Sequence, residues 1–303
     1  MFTRAVAVLA AAPLVLGLPA CGSDRSTGPH DSQTVSVAWS RLPGILAYSR
    51  APVTGGGGFL YVADGTRQEV RLVDSADAGQ VSLFYLAWSP DGRIAYAQLP
   101  VECCTTPWSI FTVSSDTGGA PQLLYEGGLA GNWSRDGHLA YSCLDGGLCL
   151  DGASALRGET TVGGSRPAWE RDDVHLVFAL DSRPGSNGLY VLDTRDGSVV
   201  PLLLSSNDSV GYLNPILSPD GARIAYERSV AYVPGSEIWV MNADGTGAVR
   251  LTSGHRDYEP AWSPDGSEIA FIHDEEVWLM NSDGGDAARV LDGAPIRSIA
   301  WSP

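Results

Sequence analysis

"EPAWSPDGSEIAFI", residues 259–272, is an apolar piece, a tight turn and a second apolar piece. Pro264 presets φ, Asp265 can bond back to the local backbone, and Gly266 accepts a positive φ without strain. The flanks "AW" and "IAFI" are short and rich in strand formers. The stretch therefore reads as the first two strands of a hairpin. Nearly the same phrase recurs along the chain: "VAWSRLPGILAYS" from 37, "LAWSPDGRIAYAQ" from 86, "GNWSRDGHLAYSC" from 131, "PAWERDDVHLVFA" from 167 and "PILSPDGARIAYE" from 215. A last fragment, "IAWSP", covers 299–303. The anchor positions Trp39, Trp88, Trp133, Trp169, Leu217, Trp262 and Trp301 are spaced by 36 to 49 residues.

A second phrase follows in most units, as in "GFLYVAD" (58–64), "WSIFTVS" (108–114) and "EVWLMNSDG" (276–284), and a third closes them, as in "EVRLV" (69–73) and "AVRLT" (248–252). Each unit supplies four short strands, with no sustained helical period between them. Four antiparallel strands per unit at a period of roughly 40–45 residues predict a propeller blade. One blade cannot bury both faces, so the phrase recurs because each blade solves the same packing problem against its neighbour. The expected fold is an all-β, six-bladed β-propeller of four-stranded blades. Seven inner-strand candidates compete for six places. Either 35–40 or 298–303 completes the first blade, and the C-terminal segment is the expected choice because it locks the ring. A seventh, one-stranded stub is the alternative.

"EPAWSPDGSEIAF" with "EVWLMNSDG", and "SPDGARIAYE" with "EIWVMNADGTGAVRLT", resemble the WD40-like PD40 repeats of TolB-type six-bladed propellers. The resemblance covers about residues 36–303 and is strongest in blades 2, 5 and 6. Blade 4 departs, with "WERDD" for "WSPDG", and blade 3 has the short phrase "GLCLDG". TolB carries a further N-terminal α/β domain, whereas only a tether is expected here, so TolB's specific role is not implied.

The N-terminus is a processing segment. One early charge at Arg4 precedes an apolar run through Leu18, too short for a comfortable membrane span. Leu18-Pro19-Ala20-Cys21 resembles the lipobox of bacterial lipoproteins, with Pro19 where a small or β-branched residue is usual. That resemblance implies a signal peptide over 1–20 and a lipid on Cys21. Residues 21–34 read as a flexible tether, and 35–303 as the propeller. The implied location is extracytoplasmic, lipid-anchored to the bacterial cell envelope.

The chain has 303 residues, formal charge −16 and no lysine. An acidic surface without a basic block argues against nucleic acid and against anionic lipid headgroups, so membrane contact is expected through the anchor only. Export permits disulfides. In "YSCLDGGLCLD" a loop at 145–147 would set Cys143 opposite Cys149, suited to a cross-strand bridge. Joining Cys103 or Cys104 to one of that pair is the alternative.

Relatives of such propellers precede α/β-hydrolase domains in prolyl-oligopeptidase-type enzymes. The sequence has no Gly-x-Ser-x-Gly elbow, which excludes a serine peptidase. The five histidines are scattered. His138 and His175 share the repeat slot of Arg93 and Arg223, most simply a solvated strand start. "NADGTG" and "NSDGGD" lack the ligand pattern of calcium loops. No metal, cofactor or catalytic residue is assigned.

Residues three places before each anchor should reach the channel mouth. This ring, with its neighbours, gives Tyr85, Arg166, Asn214, Tyr258, Glu259 and Arg297 as candidate binding residues, mixing aromatic, charged and amide groups as recognition surfaces do. The expected function is a non-catalytic, monomeric binding or scaffold propeller that recognises an envelope protein or peptide at that mouth. The alternative is a lyase or glycosidase using channel acids. Glu259 is the best-placed acid for it, with Glu170, Asp172 and Asp173 behind.

Overall fold

The computed structural model describes residues 42–51, 58–64, 69–74, 81–100, 108–116, 118–143, 146–156, 165–180, 187–253, 256–291 and 295–303. The expected leader and tether, residues 35–40 and the Cys103–Cys104 pair lie outside these.

The described strands form six antiparallel sheets of four. Blade 1 stacks β24 (Ile296–Trp301), β1 (Ile45–Arg50), β2 (Phe59–Asp64) and β3 (Val70–Asp74). Blade 2 runs β4 (Val81–Trp88), β5 (Arg93–Pro100), β6 (Ser109–Ser114) and β7 (Gly118–Glu126). Blade 3 runs β8 (Gly128–Trp133), β9 (Leu139–Cys143), β10 (Leu148–Leu150) and β11 (Ala153–Leu156). Blade 4 runs β12 (Ala168–Trp169), β13 (His175–Leu180), β14 (Gly188–Asp193) and β15 (Val199–Leu204). Blade 5 runs β16 (Val210–Leu217), β17 (Arg223–Val230), β18 (Ser236–Asn242) and β19 (Val249–Arg250). Blade 6 runs β20 (Asp257–Trp262), β21 (Glu268–His273), β22 (Glu276–Asn281) and β23 (Ala288–Leu291). The C-terminal strand closes the ring as expected: β24 pairs antiparallel with β1, with Leu46 opposite Trp301 and Ala47 opposite Ala300.

The core is divided by interface. A buried apolar cluster lies between each successive pair of blades, for example Leu60, Leu83, Leu86, Ile94 and Tyr96 between blades 1 and 2. The cluster between blades 2 and 3, with Ala95, Ile110, Leu139 and Tyr141 buried, is the smallest described. The recurring tryptophan has a second role besides burial. Trp88 Nε1 donates to the Ala300 carbonyl at 3.0 Å, Trp169 Nε1 to Asn132 at 3.2 Å and Trp262 Nε1 to Ile216 at 3.2 Å. Each acceptor stands one residue before the anchor of the preceding blade. Blade 5 has Leu217 at the anchor, and among the described residues Trp133 Nε1 and Trp301 Nε1 find no acceptor.

The phrase "S-x-D-G" is a self-capping turn. Ser218 Oγ accepts the Arg223 amide at 3.0 Å and donates to Asp220 at 2.6 Å; Ser263 does the same with Glu268 and Asp265 at 3.0 and 2.7 Å. Gly92, Gly137, Gly221 and Gly266 close these turns at φ between 71° and 93°. In blade 4 the same place falls to Asp173, at φ 54°. Acidic and amide side chains tolerate that conformation better than most.

Cys143 and Cys149 are joined by a disulfide with Cα atoms 5.7 Å apart. Their register differs from the direct pairing expected of the hairpin. Cys149 stands opposite Tyr141, while Cys143 donates its amide to the Gly147 carbonyl at 2.9 Å. The bridge thus runs diagonally.

Candidate functional site at the channel neck

The inner strands are interrupted where they approach the axis. The ladders shift register between Phe84 and Ala87, Gly128 and Gly131, Leu213 and Ile216, and Tyr258 and Ala261. In three of these bulges a non-glycine residue is left-handed: Tyr85 at φ 58°, Asn214 at 46° and Glu259 at 57°. Such conformations cost on the order of 1–3 kcal/mol each and persist only where surroundings over-determine them.

The surroundings here are a buried polar network. A bulge removes an amide from its ladder, and a neighbouring blade supplies the acceptor. Leu86 N donates to Ser298 Oγ at 3.0 Å, Asn214 N to Ser165 Oγ at 3.0 Å, and Glu259 N to Glu227 Oε1 at 2.8 Å. Arg166 N donates to Asn214 Oδ1 at 3.0 Å, and Asn214 Nδ2 to Glu227 Oε1 at 2.7 Å. Ser298 Oγ donates to Glu259 Oε2 at 2.8 Å. The Arg166 guanidinium, from blade 4, crosses to the Leu86 carbonyl of blade 2 at 2.9 Å and to Glu259 Oε2 of blade 6 at 3.0 Å.

Three of the six candidate binding residues, Arg166, Asn214 and Glu259, therefore meet, and all three are buried. They act as a cross-brace rather than an open ring of ligands. Tyr85 is partly exposed and stands with Phe84 and Trp108 at ring separations of 5.8 to 6.3 Å. Its hydroxyl pKa is raised by burial and by the Glu259 and Glu227 carboxylates. Tyr258, with its hydroxyl also raised by burial, packs at the edge of the core between blades 6 and 1. Arg297 pairs with Glu275 at 2.8 Å.

Sequence reasoning missed Glu227. Its slot, the last of "IAYE", holds Ser49, Ala97, Ser142, Ala179 and Ile272 in the other blades. A charge in a slot otherwise small or apolar was the available signal. Burial, and then the neighbouring Glu259 carboxylate, push its pKa from 4.5 up to about 7, against the pull of Asn214, the Glu259 amide and Arg166. Between pH 4.5 and 7 the folded protein thus holds a proton that the unfolded chain has released. Stability contributed by this group is full below about pH 4.5 and falls as pH rises to 7, by about 3 kcal/mol. Glu227→Gln keeps an acceptor for Asn214 and Glu259 but cannot ionise. The stability difference between wild type and E227Q, measured by denaturant unfolding, should shift by about that amount in the variant's favour between pH 5 and pH 8. A pH-independent difference would show that Glu227 titrates normally.

These features define the class: a six-bladed β-propeller with a braced channel neck. No known protein-family profile matches the chain. Over 97 residues it is 37% identical to the Tol-Pal system protein TolB of Anaeromyxobacter dehalogenans, a match covering 32% of this chain and 21% of that protein. The TolB of Francisella tularensis is 33% identical over 86 residues, covering 28% and 19%. The chain thus aligns with about a fifth of the length of the curated relatives it matches. The crystal structure of TolB from Acinetobacter baumannii superposes with a TM-score of 0.71 over 86% of this chain and 67% of that one, at 20% identity. Local sequence similarity and fold both relate the chain to TolB-type propellers.

Proposed function

We propose that the chain is a non-catalytic, TolB-like binding propeller of the cell envelope, monomeric and docking a protein or peptide partner at the channel mouth. The observation that carries this reading is how the mouth is built. The carboxylates and Arg166 at the neck are tied to one another, whereas Phe84, Tyr85 and Trp108 form a partly exposed aromatic group beside them. Aromatic side chains supply large contact area at low entropic cost and dominate protein interfaces. The similarity to Tol-Pal system proteins supports an envelope partner, and the lipobox-like "LPAC" supports anchoring through Cys21. The channel-acid enzyme reading is weaker, because Glu227 and Glu259 are bonded to protein donors.

The test is capture from detergent-solubilised envelope, using the full chain and the double variant Trp108→Ala, Arg297→Glu. One or a few proteins captured by the wild type should fall at least about tenfold in the variant, at unchanged melting temperature. Equal capture by both would place the interface elsewhere. The same wild-type preparation should carry an acyl chain on Cys21 by mass spectrometry, and its absence would remove the anchor.

A further inference from the structure

We propose that Glu170, Asp172 and His175, in the first turn of blade 4, bind a divalent transition-metal ion of the zinc class. The site is distinct from the neck, lying on the far side of β12 from Arg166.

The repeat itself is the reference state. At the slot of Glu170 four other blades carry Ser89, Ser134, Ser218 and Ser263, each accepting the amide that opens the next strand. In blade 4 that capping passes to Asp172, whose Oδ1 accepts the Val174 and His175 amides at 3.0 Å each. Glu170 is thereby freed from the turn. Its carboxylate is partly buried, and no described residue donates a hydrogen bond to it. The nearby guanidinium groups are engaged elsewhere: Arg135 with Asp173, Arg171 with the Asp220 carbonyl and Arg195 with Asp193. Two carboxylates are left facing one imidazole.

The spacing suits a cation. One ligand atom from each of the three residues lies within 4.8 Å of the others. Oxygen and nitrogen ligands at about 2.0–2.2 Å from a zinc-class ion stand up to about 4.4 Å apart, so small side-chain rotations suffice. His175 Nδ1 faces Asp172 Oδ2 at 2.5 Å, and Nε2 points toward Asp193 at 3.5 Å. With Nδ1 on the ion, Nε2–H is directed at a carboxylate, the usual orientation of a metal-bound histidine. An imidazole beside two carboxylates favours zinc-class ions over calcium. Blade 3 supplies an internal control: His138 occupies the same slot as His175 and faces Asp151 at 2.6 Å and Asp136 at 3.7 Å. There Ser134 keeps the cap and donates to Asp136, and among the described residues these groups do not converge as those of blade 4 do.

Titration calorimetry of the full chain with zinc chloride at pH 7.5 tests this. One site is expected, with calcium chloride giving no heat. Glu170→Ser and His175→Arg install the residues of sister blades, so both should fold, with melting temperatures in EDTA matching wild type. Each should weaken zinc binding about tenfold or more, since even outer partners of a metal site cost about 10–100-fold. His138→Arg should leave binding unchanged. The proposal is overturned if wild type binds no zinc, if E170S and H175R bind as wild type does, or if only H138R loses the site.

Discussion

Deleting residues 297–303 is expected to abolish the stable monomer, although a terminal segment of that size is usually dispensable. Those residues are nearly all of β24, whose sheet partner is β1. Their loss bares the β1 edge at the axis, an invitation to edge-to-edge association. It removes Trp301, 7% exposed, from the core between blades 6 and 1. It also removes Ser298, which accepts the Leu86 amide and donates to Glu259. Trp301→Ala alone should cost about 3–5 kcal/mol, a large share of the roughly 5–15 kcal/mol that holds a domain. The truncated chain should therefore aggregate or melt far below wild type, with Trp301→Ala intermediate. An unchanged melting temperature after truncation would mean that another segment can close the ring.

Arg166 is the second sensitive point. Arg166→Met leaves the Glu259 carboxylate, 4% exposed, without its cation and the Leu86 carbonyl without its donor. Breaking a buried ion pair on one side typically costs about 3–5 kcal/mol, because the surviving charge is stranded. Arg166→Met with Glu259→Gln should recover most of that loss, a coupling that chemical denaturation of the single and double variants measures. An R166M protein within about 1 kcal/mol of wild type would show that water replaces the guanidinium.

What was legible in the sequence is what repeats. The Ser-Pro-Asp-Gly turn, the anchor tryptophan and the four-strand unit are local and occur several times, so each copy supports the others. Counting seven inner-strand candidates against six places left closure to 35–40 or 298–303, and the second was expected because it locks the ring. The neck was legible only as a list of positions. Arg166 meets Leu86 across 80 residues of chain, and Glu259 meets Glu227 across 32. Such pairings depend on how blades are set around the axis, which no single unit encodes. Hence Arg166, Asn214 and Glu259 were expected at an open mouth and lie buried beneath it. The Cys143–Cys149 bridge was expected, but its diagonal register was not, because Cys143 pairs with Gly147 while Cys149 stands opposite Tyr141. Glu170 was visible as a departure from the repeat, but its release from the turn depended on Asp172 taking over the cap.

The tryptophan clamps fall at alternate interfaces. Trp88 ties blade 2 to blade 1, Trp169 ties blade 4 to blade 3, and Trp262 ties blade 6 to blade 5. Among the described residues the sixfold ring is thus three tryptophan-tied doublets separated by three seams that no anchor tryptophan ties. The single guanidinium of Arg166 touches one member of every doublet: its own blade 4, Leu86 of blade 2 and Glu259 of blade 6. It stands as a keystone at the axis. In R166M the first amides to gain exchange with solvent should therefore be those along the seams, with each doublet staying protected as a unit.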